Sequence, residues 1–261
     1  MCAQALDGKV VVVVGGTSGL GRSGVEACLE AGARVVAVGR SLEKVEAVNG
    51  LGSEVFGLAG DAAEPGCSEA AIDEAESRFG GFDGLYHVAG GSGRSAGDGP
   101  LHELTDEGID YTLRLNLFSV IYSNRAAARR LLKSRRRGSV LNMSSVLAFA
   151  PAGEHFATHA YAAAKAGIIG LTRSAASKYA ACDIRFNAIA PALVETPMSE
   201  RAQESPEILE YTRRRQPLDG GRIGQARDTD GAVVYFLSDQ SAFVTGQVVS
   251  IDGGWEVSDG Q

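Results

Sequence analysis

Short β-branched runs recur along the whole chain, each followed by a stretch of helical periodicity, and this alternation admits few folds. Strand–helix–strand units put their strands parallel, with right-handed crossovers and helices on both faces of one sheet. Seven runs read as strands, at 9–15, 34–39, 54–58, 82–88, 139–143, 184–188 and 247–251. Helices are expected at 19–31, 42–48, 67–79, 103–135, 160–180 and 228–237. With 261 residues, no repeat and no linker, the chain reads as one α/β domain over 1–261, a Rossmann-type doubly wound parallel sheet. Two segments break the rhythm: the glycine-rich 90–100, and the polar 199–221 with Arg213, Arg214 and Arg215. Both follow strands at the expected carboxyl edge of the sheet, where such folds bind ligands, and about 197–221 reads as a substrate lid.

Composition removes several function classes. Lys+Arg 25 against Asp+Glu 32 gives a net charge of -7, which argues against an extended nucleic-acid surface. The longest purely apolar run, Val10 to Val14, is far too short to cross a bilayer. Cys2, Cys28, Cys67 and Cys182 have neither disulfide-framework nor zinc-ligand spacing, and no charged-then-apolar leader precedes the first strand. A reducing, cytoplasmic setting without a metal centre is the expectation.

Directly after the first strand comes Gly15-Gly16-Thr17-Ser18-Gly19-Leu20-Gly21-Arg22-Ser23-Gly24, opening a helix whose free N–H groups can hold a phosphate. Three patterns fit. Gly16 to Ser23 matches a phosphate-binding P-loop except that arginine replaces the lysine whose point charge serves the terminal phosphates. Gly19, Gly21 and Gly24 form G-x-G-x-x-G, but begin several residues beyond the strand end. Gly15, Gly19 and Gly21 form a longer turn whose first glycine ends the strand. A turn with no ligand remains the plain alternative.

Tyr161 and Lys165 lie four apart in an alanine-rich helix, so phenol and ammonium share one face. A fixed cation there would favour the phenolate and lower the tyrosine pKa toward a value suited to proton transfer. Ser145, just past the fifth strand, can hydrogen-bond a carbonyl oxygen, and Asn116 in the preceding helix can anchor a water. Each alone has an ordinary structural reading; their order after a glycine turn joins them.

These pieces together closely resemble the short-chain dehydrogenase/reductase family, from Lys9 to about Trp255. The resemblance also includes Asp61, Ala89-Gly90, Ser144-Ser145, Asn187-Ala188-Ile189-Ala190-Pro191, Thr245-Gly246-Gln247 and Asp252-Gly253-Gly254. It implies hydride transfer between a nicotinamide cofactor and a ketone or secondary alcohol, served by Asn116, Ser145, Tyr161 and Lys165. It implies cofactor contacts from Gly15, Thr17, Ser18, Gly19, Leu20, Gly21, Arg40, Asp61, Ala62, Ala89, Gly90, Pro191, Val194 and Thr196, with Tyr161 and Lys165. A homotetramer or homodimer is also implied. Reductases of 3-oxoacyl thioesters, which place basic residues beside the active-site mouth, are one alternative within the family, but Arg136 stands at one such position and Cys182 at the other, and non-catalytic dinucleotide sensors are another.

The chain departs from the family pattern at Val14, at His87-Val88 and at Ala192, where an alanine in place of glycine could alter the backbone near the nicotinamide. His155 and His159 are spaced to share a metal on a helix, but are expected in a loop with no third ligand in sight, and read as structural or substrate-lining. After the second strand stands Gly39-Arg40-Ser41, with no carboxylate for a ribose hydroxyl and a guanidinium suited to a 2′-phosphate, which favours NADP over NAD. The arginines around 129–137 read as a solvated helix end. Arg94, His155, His159 and Arg213 to Arg215 are expected to line the substrate mouth and to suit a polar or anionic carbonyl compound.

Overall fold

The structure is a computed structural model that describes residues 4–259; Cys2 lies outside them. Seven parallel strands form one sheet in the order β3-β2-β1-β4-β5-β6-β7. They are β1 (Val10–Val14), β2 (Arg34–Gly39), β3 (Val55–Ala59), β4 (Gly84–His87), β5 (Gly138–Met143), β6 (Ile184–Pro191) and β7 (Val248–Ile251). All five residues of β1 are valine because the strand is central: Val12 lies opposite Val36 of β2 and Leu85 of β4, with helices above and below. Val11 and Val13 point into a core closed by α1 (Gly19–Glu30) and, near the chain's end, the helix Asp230–Leu237. Val10, Val12 and Val14 point the other way, against α3 (Cys67–Phe79) and the helix Ser119–Ser134. Each buried valine is worth about 1.5–3 kcal/mol, so a charge at Val12 would be incompatible with either layer.

Between β2 and β3 runs α2 (Leu42–Asn49). The helix expected at 103–135 is three pieces: α4 (Asp106–Leu113), a π turn over Arg114–Phe118, and α5 (Ser119–Ser134). Next come α6 (His159–Tyr179), α7 (Glu200–Gln203), α8 (Pro206–Arg215) and α9 (Asp230–Leu237). The polar segment 199–221 is thus partly helical, and α8 starts on a cap and an N1 proline, Ser205 accepting from Ile208 N at 3.4 Å. His159 opens α6 instead of lying in the loop before it. Strand β6 runs on to Pro191, three residues beyond expectation, and so carries Asn187 to Pro191 to the sheet's carboxyl edge.

Chain order reverses between β1 and β4, and the connections leaving these two strands diverge into a crevice. A third apolar cluster, Val146, Ala150, Ala152 and Trp255 with Phe156 and Tyr211, sits beneath α7 and α8. The arginine-rich end of α5 is tied down: Arg130 pairs with Asp73 and Glu76, and Arg136 with Asp83 at 2.7 Å. Cys28, Cys67 and Cys182 are free thiols. Among the described residues no helix is long and apolar enough to cross a membrane.

Candidate active site

The crevice between β1 and β4 is floored by backbone. Gly15 leaves β1 at φ +93°, and a Cβ there would stand 2.5 Å from the amide nitrogen of Ala89. A Cβ at Gly21 would stand 2.0 Å from the carbonyl oxygen of Gly15. Both positions therefore exclude every side chain, and the first turn of α1 packs against the strand end. Ser18 stands at the N-cap but makes no side-chain cap bond, and no acidic residue occupies the first turn, so the leading N–H groups of α1 face the crevice.

Thr17, Ser18, Gly19 and Leu20 line the resulting cavity of about 380 Å³, with Arg40, Asp61, Ala62, Ala89, Gly90, Tyr161, Lys165, Pro191, Val194 and Thr196. Every residue expected at a cofactor is therefore brought to one cavity. Lys44, one turn into α2, also lines it beside Arg40, and both are exposed. No carboxylate stands with them at the end of β2, where Gly39 leads directly to Arg40. The sequence places Lys44 on a helix at 42–48 but does not show that this helix turns it toward the crevice.

At the other end, Lys165 is buried on α6, and its Nζ donates to the carbonyl oxygen of Met143 at 2.9 Å. Ser144 Oγ donates to the Lys165 carbonyl at 2.9 Å, locking the end of β5 to the same helix turn. The Lys165 ammonium lies 5.5 Å from the Tyr161 ring centre, and the Tyr161 phenol hydrogen-bonds Ser145. Burial pushes the phenol up to about 12, the Ser145 hydrogen bond offsetting part of that rise. The expected lowering by Lys165 is absent, because burial also drives the ammonium down to about 8. Desolvation is the largest influence on both groups.

Asn116 sits in the π turn between α4 and α5, an irregularity common at functional sites. Its Nδ2 donates to Gly91 O at 3.0 Å and Thr112 O at 2.9 Å, and its Oδ1 accepts from Gly91 N at 3.0 Å. The amide therefore fixes the Gly90–Gly91 backbone, and both its N–H groups are committed to the protein. A Cβ at Gly90 would come within 2.8 Å of Asn116 Oδ1.

The departures from the family pattern are accommodated quietly. His87 is buried between Ser123 Oγ at 2.7 Å and Ser119 Oγ at 3.3 Å. Burial, and then the Lys165 charge, hold its imidazole down at about 3, so it is a neutral core residue. Ala192 is not among the described residues with positive φ, so no glycine is required there.

A second cavity, of about 390 Å³, opens from the same Tyr161 and Ser145. Val146, Leu147, Phe156, Met198 and Trp255 form its walls, with Arg94 and Arg201 among its lining. The expectation for its mouth needs correction. Arg94 is there, but Arg213 pairs with Glu210 at 3.8 Å, Arg215 donates to Ser258 O at 2.9 Å, and neither, nor Arg214, lines the cavity. Histidines 155 and 159 do not line it either; the His155 ring stands edge-on to Tyr211 at 4.8 Å, with Glu154 and Glu207 close by. Arg136, expected near the site, lies before β5 at the amino edge of the sheet, opposite the crevice.

One residue unnoticed in the sequence ties this half together. Asp98 is buried, and its two oxygens accept from Ala160 N at 3.1 Å and Tyr161 N at 3.0 Å. Thr158 holds the N-cap position of α6 without capping it, and the carboxylate supplies the cap from the connection after β4.

Residues 14–256 match the family model described as enoyl-(acyl carrier protein) reductase. A 3-oxoacyl acyl-carrier-protein reductase of Thermotoga maritima is 32% identical, over 95% of this chain and 98% of its own. A 3beta-hydroxysteroid dehydrogenase of Eggerthella lenta is 35% identical, over 95% of this chain and 94% of its own. Among solved structures, a gluconate 5-dehydrogenase from Burkholderia cenocepacia J2315, in complex with NADP and tartrate, superposes with a TM-score of 0.87 at 29% identity, covering 96% of both chains. The names of these relatives point to different substrates, although each matches nearly the whole chain. The chain belongs to the short-chain dehydrogenase/reductase family, the nicotinamide-dependent oxidoreductases of hydroxyl and carbonyl groups.

Proposed function

We propose that Tyr161 exchanges a proton with the substrate oxygen while Ser145 hydrogen-bonds that oxygen, in the interconversion of a ketone and a secondary alcohol. The observation that carries this reading is that the two cavities meet at Tyr161 and Ser145, which line both. A nicotinamide bound in the first cavity would give or take the hydride. The raised phenol pKa keeps Tyr161 protonated, so it holds the proton that reduction consumes, and the Ser145 hydrogen bond, which favours the phenolate, eases its release. Lys165, held by Met143 O, is placed to grip the cofactor beside the phenol. Asn116 acts by fixing Gly91, the loop that faces Lys165.

Arg40 and Lys44 at the crevice end, with no carboxylate at the tip of β2, support NADP as the preferred cofactor, as in the Burkholderia complex. The segment 197–221, which brings Met198 and Arg201 to the second cavity, is read as the substrate lid. Assembly into a homodimer or homotetramer is supported by β7, which among the described residues pairs with β6 alone and exposes Val249. In the tail, Trp255 is buried against Phe156 and Tyr211, and Glu256 accepts from Ser250 of β7. Free Cys28, Cys67 and Cys182 support a reducing, cytoplasmic setting.

Replacement Tyr161→Phe tests the reading. It should lower the turnover of a ketone panel by about 10²–10⁴-fold while NADPH binding, followed by fluorescence, stays near native. Near-native turnover would refute the assignment.

A further inference from the structure

Hydride transfer leaves unused the two guanidinium groups that meet at the rim of the second cavity. Arg94, from the connection after β4, and Arg201, from α7, each donate from Nη2 to one oxygen, the carbonyl of His155, at 3.2 and 3.1 Å. Two like charges are thereby gathered on a single neutral acceptor. Neither has a carboxylate within ion-pair distance among the described residues, whereas Arg130, Arg136 and Arg222 do. Asp98 acts on Arg94 through space, but both its oxygens are committed to the start of α6. Burial, and then the Arg201 charge, lower the Arg94 pKa, the direction expected for a cation lacking a counter-charge.

The cavity that holds this pair and the reacting pair is lined mainly by apolar side chains, Val146, Leu147, Phe156, Met198 and Trp255, with Ser92 and Thr158 among the polar ones. A cationic pair without a carboxylate partner, an apolar wall, and a phenol with a hydroxyl, all on one cavity, define a ligand in three parts. We propose that the substrate is amphipathic, with its reacting carbon at Tyr161, an apolar body along those walls, and an anionic terminus on Arg94 and Arg201. A carboxylate and a phosphate monoester share the required chemistry, each offering two oxygens to two guanidinium groups. Only the direction in which the ligand lies rests on the hydride-transfer reading; the preference for an anion rests on the rim alone.

Trp255, the single tryptophan of the chain, lines this cavity, so its fluorescence reads occupancy without turnover. The protein loaded with NADP⁺ is titrated with octanoate, octyl phosphate, methyl octanoate and octanol. At least one anion should bind at least tenfold more tightly than both neutral probes, the two anions separating carboxylate from phosphate, and the preference should shrink as salt is raised. It should disappear in the Arg94→Gln/Arg201→Gln protein and fall in each single variant, which keeps the test decisive if the double variant does not fold. Equal affinity for charged and neutral probes, a preference that survives both replacements, or no response to any probe would overturn the inference. Because Tyr161→Phe should retain this binding while losing turnover, the failure of either reading is told apart from failure of the other.

Discussion

The two cavities that meet at Tyr161 are built from different materials. The dinucleotide crevice is shaped by backbone: the φ of Gly15, the absent Cβ of Gly21, the open N-terminus of α1 and the divergence of β1 from β4. The substrate cavity is shaped by side chains delivered from separate connections: Arg94 after β4, Phe156 before α6, Arg201 on α7 and Trp255 near the end. A backbone site has few solutions, since each step is limited by steric exclusion. A side-chain site has many, which is how one fold can carry different specificities.

The largest effect should come from breaking the backbone half. A valine at Gly21 cannot fit against the Gly15 carbonyl, so β1 and α1 must separate where the cofactor is expected. NADPH affinity should fall by more than 100-fold, or the protein should fail to fold, whereas Thr17→Ser, which keeps both the backbone and the hydroxyl, should cost little. Isothermal titration checks both. Tight binding by Gly21→Val would mean that the crevice is not governed by backbone sterics.

A smaller and more selective effect is expected where side chains enter the crevice. Arg40→Asp supplies a carboxylate at the end of β2 and removes a cation from beside Lys44. The ratio of NADPH to NADH affinity should drop by roughly tenfold or more, in keeping with the strength of a charge-assisted phosphate contact. Lys44→Ala should move the ratio the same way by less. An unchanged ratio in both variants would place the preference in the backbone half after all.

The same division explains what the sequence made legible. The strands, the glycine turn, and the Tyr161–Lys165 pair were readable because each obeys a short-range rule: period two, a steric requirement at a strand end, or one helical turn. The π turn at Asn116 was not, because Arg114–Phe118 has the same apolar pattern as the helices on either side. Arg213 to Arg215 are conspicuous as a triplet, yet in α8 Arg213 turns onto Glu210 and Arg215 onto the chain's tail, while the isolated Arg201 reaches the cavity. The raised pKa of Tyr161 escapes the sequence for a similar reason: spacing reveals the neighbouring ammonium, but not the burial that raises the phenol and lowers the ammonium.

Asp98 supports the substrate half, and the mildest prediction concerns it. Its carboxylate caps α6 at Ala160 and at Tyr161 itself, so it sets where the phenol stands without touching the crevice floor. In Asp98→Ala two buried N–H groups at the start of α6 lose their acceptor, because Thr158 offers no cap of its own. The cost should be about 1–2 kcal/mol, the usual range for a lost cap, seen as a melting temperature lower by a few degrees. Asp98→Asn should recover part of this, since one amide oxygen can still accept. The more telling measurement is the division between steps. If Asp98 positions Tyr161 only, kcat should fall several-fold while NADPH affinity stays within about twofold, because Lys165 is held separately by Met143 and Ser144. A parallel loss of cofactor affinity would mean that the start of α6 and the crevice move as one body, and that the contrast between a backbone half and a side-chain half ends at β5.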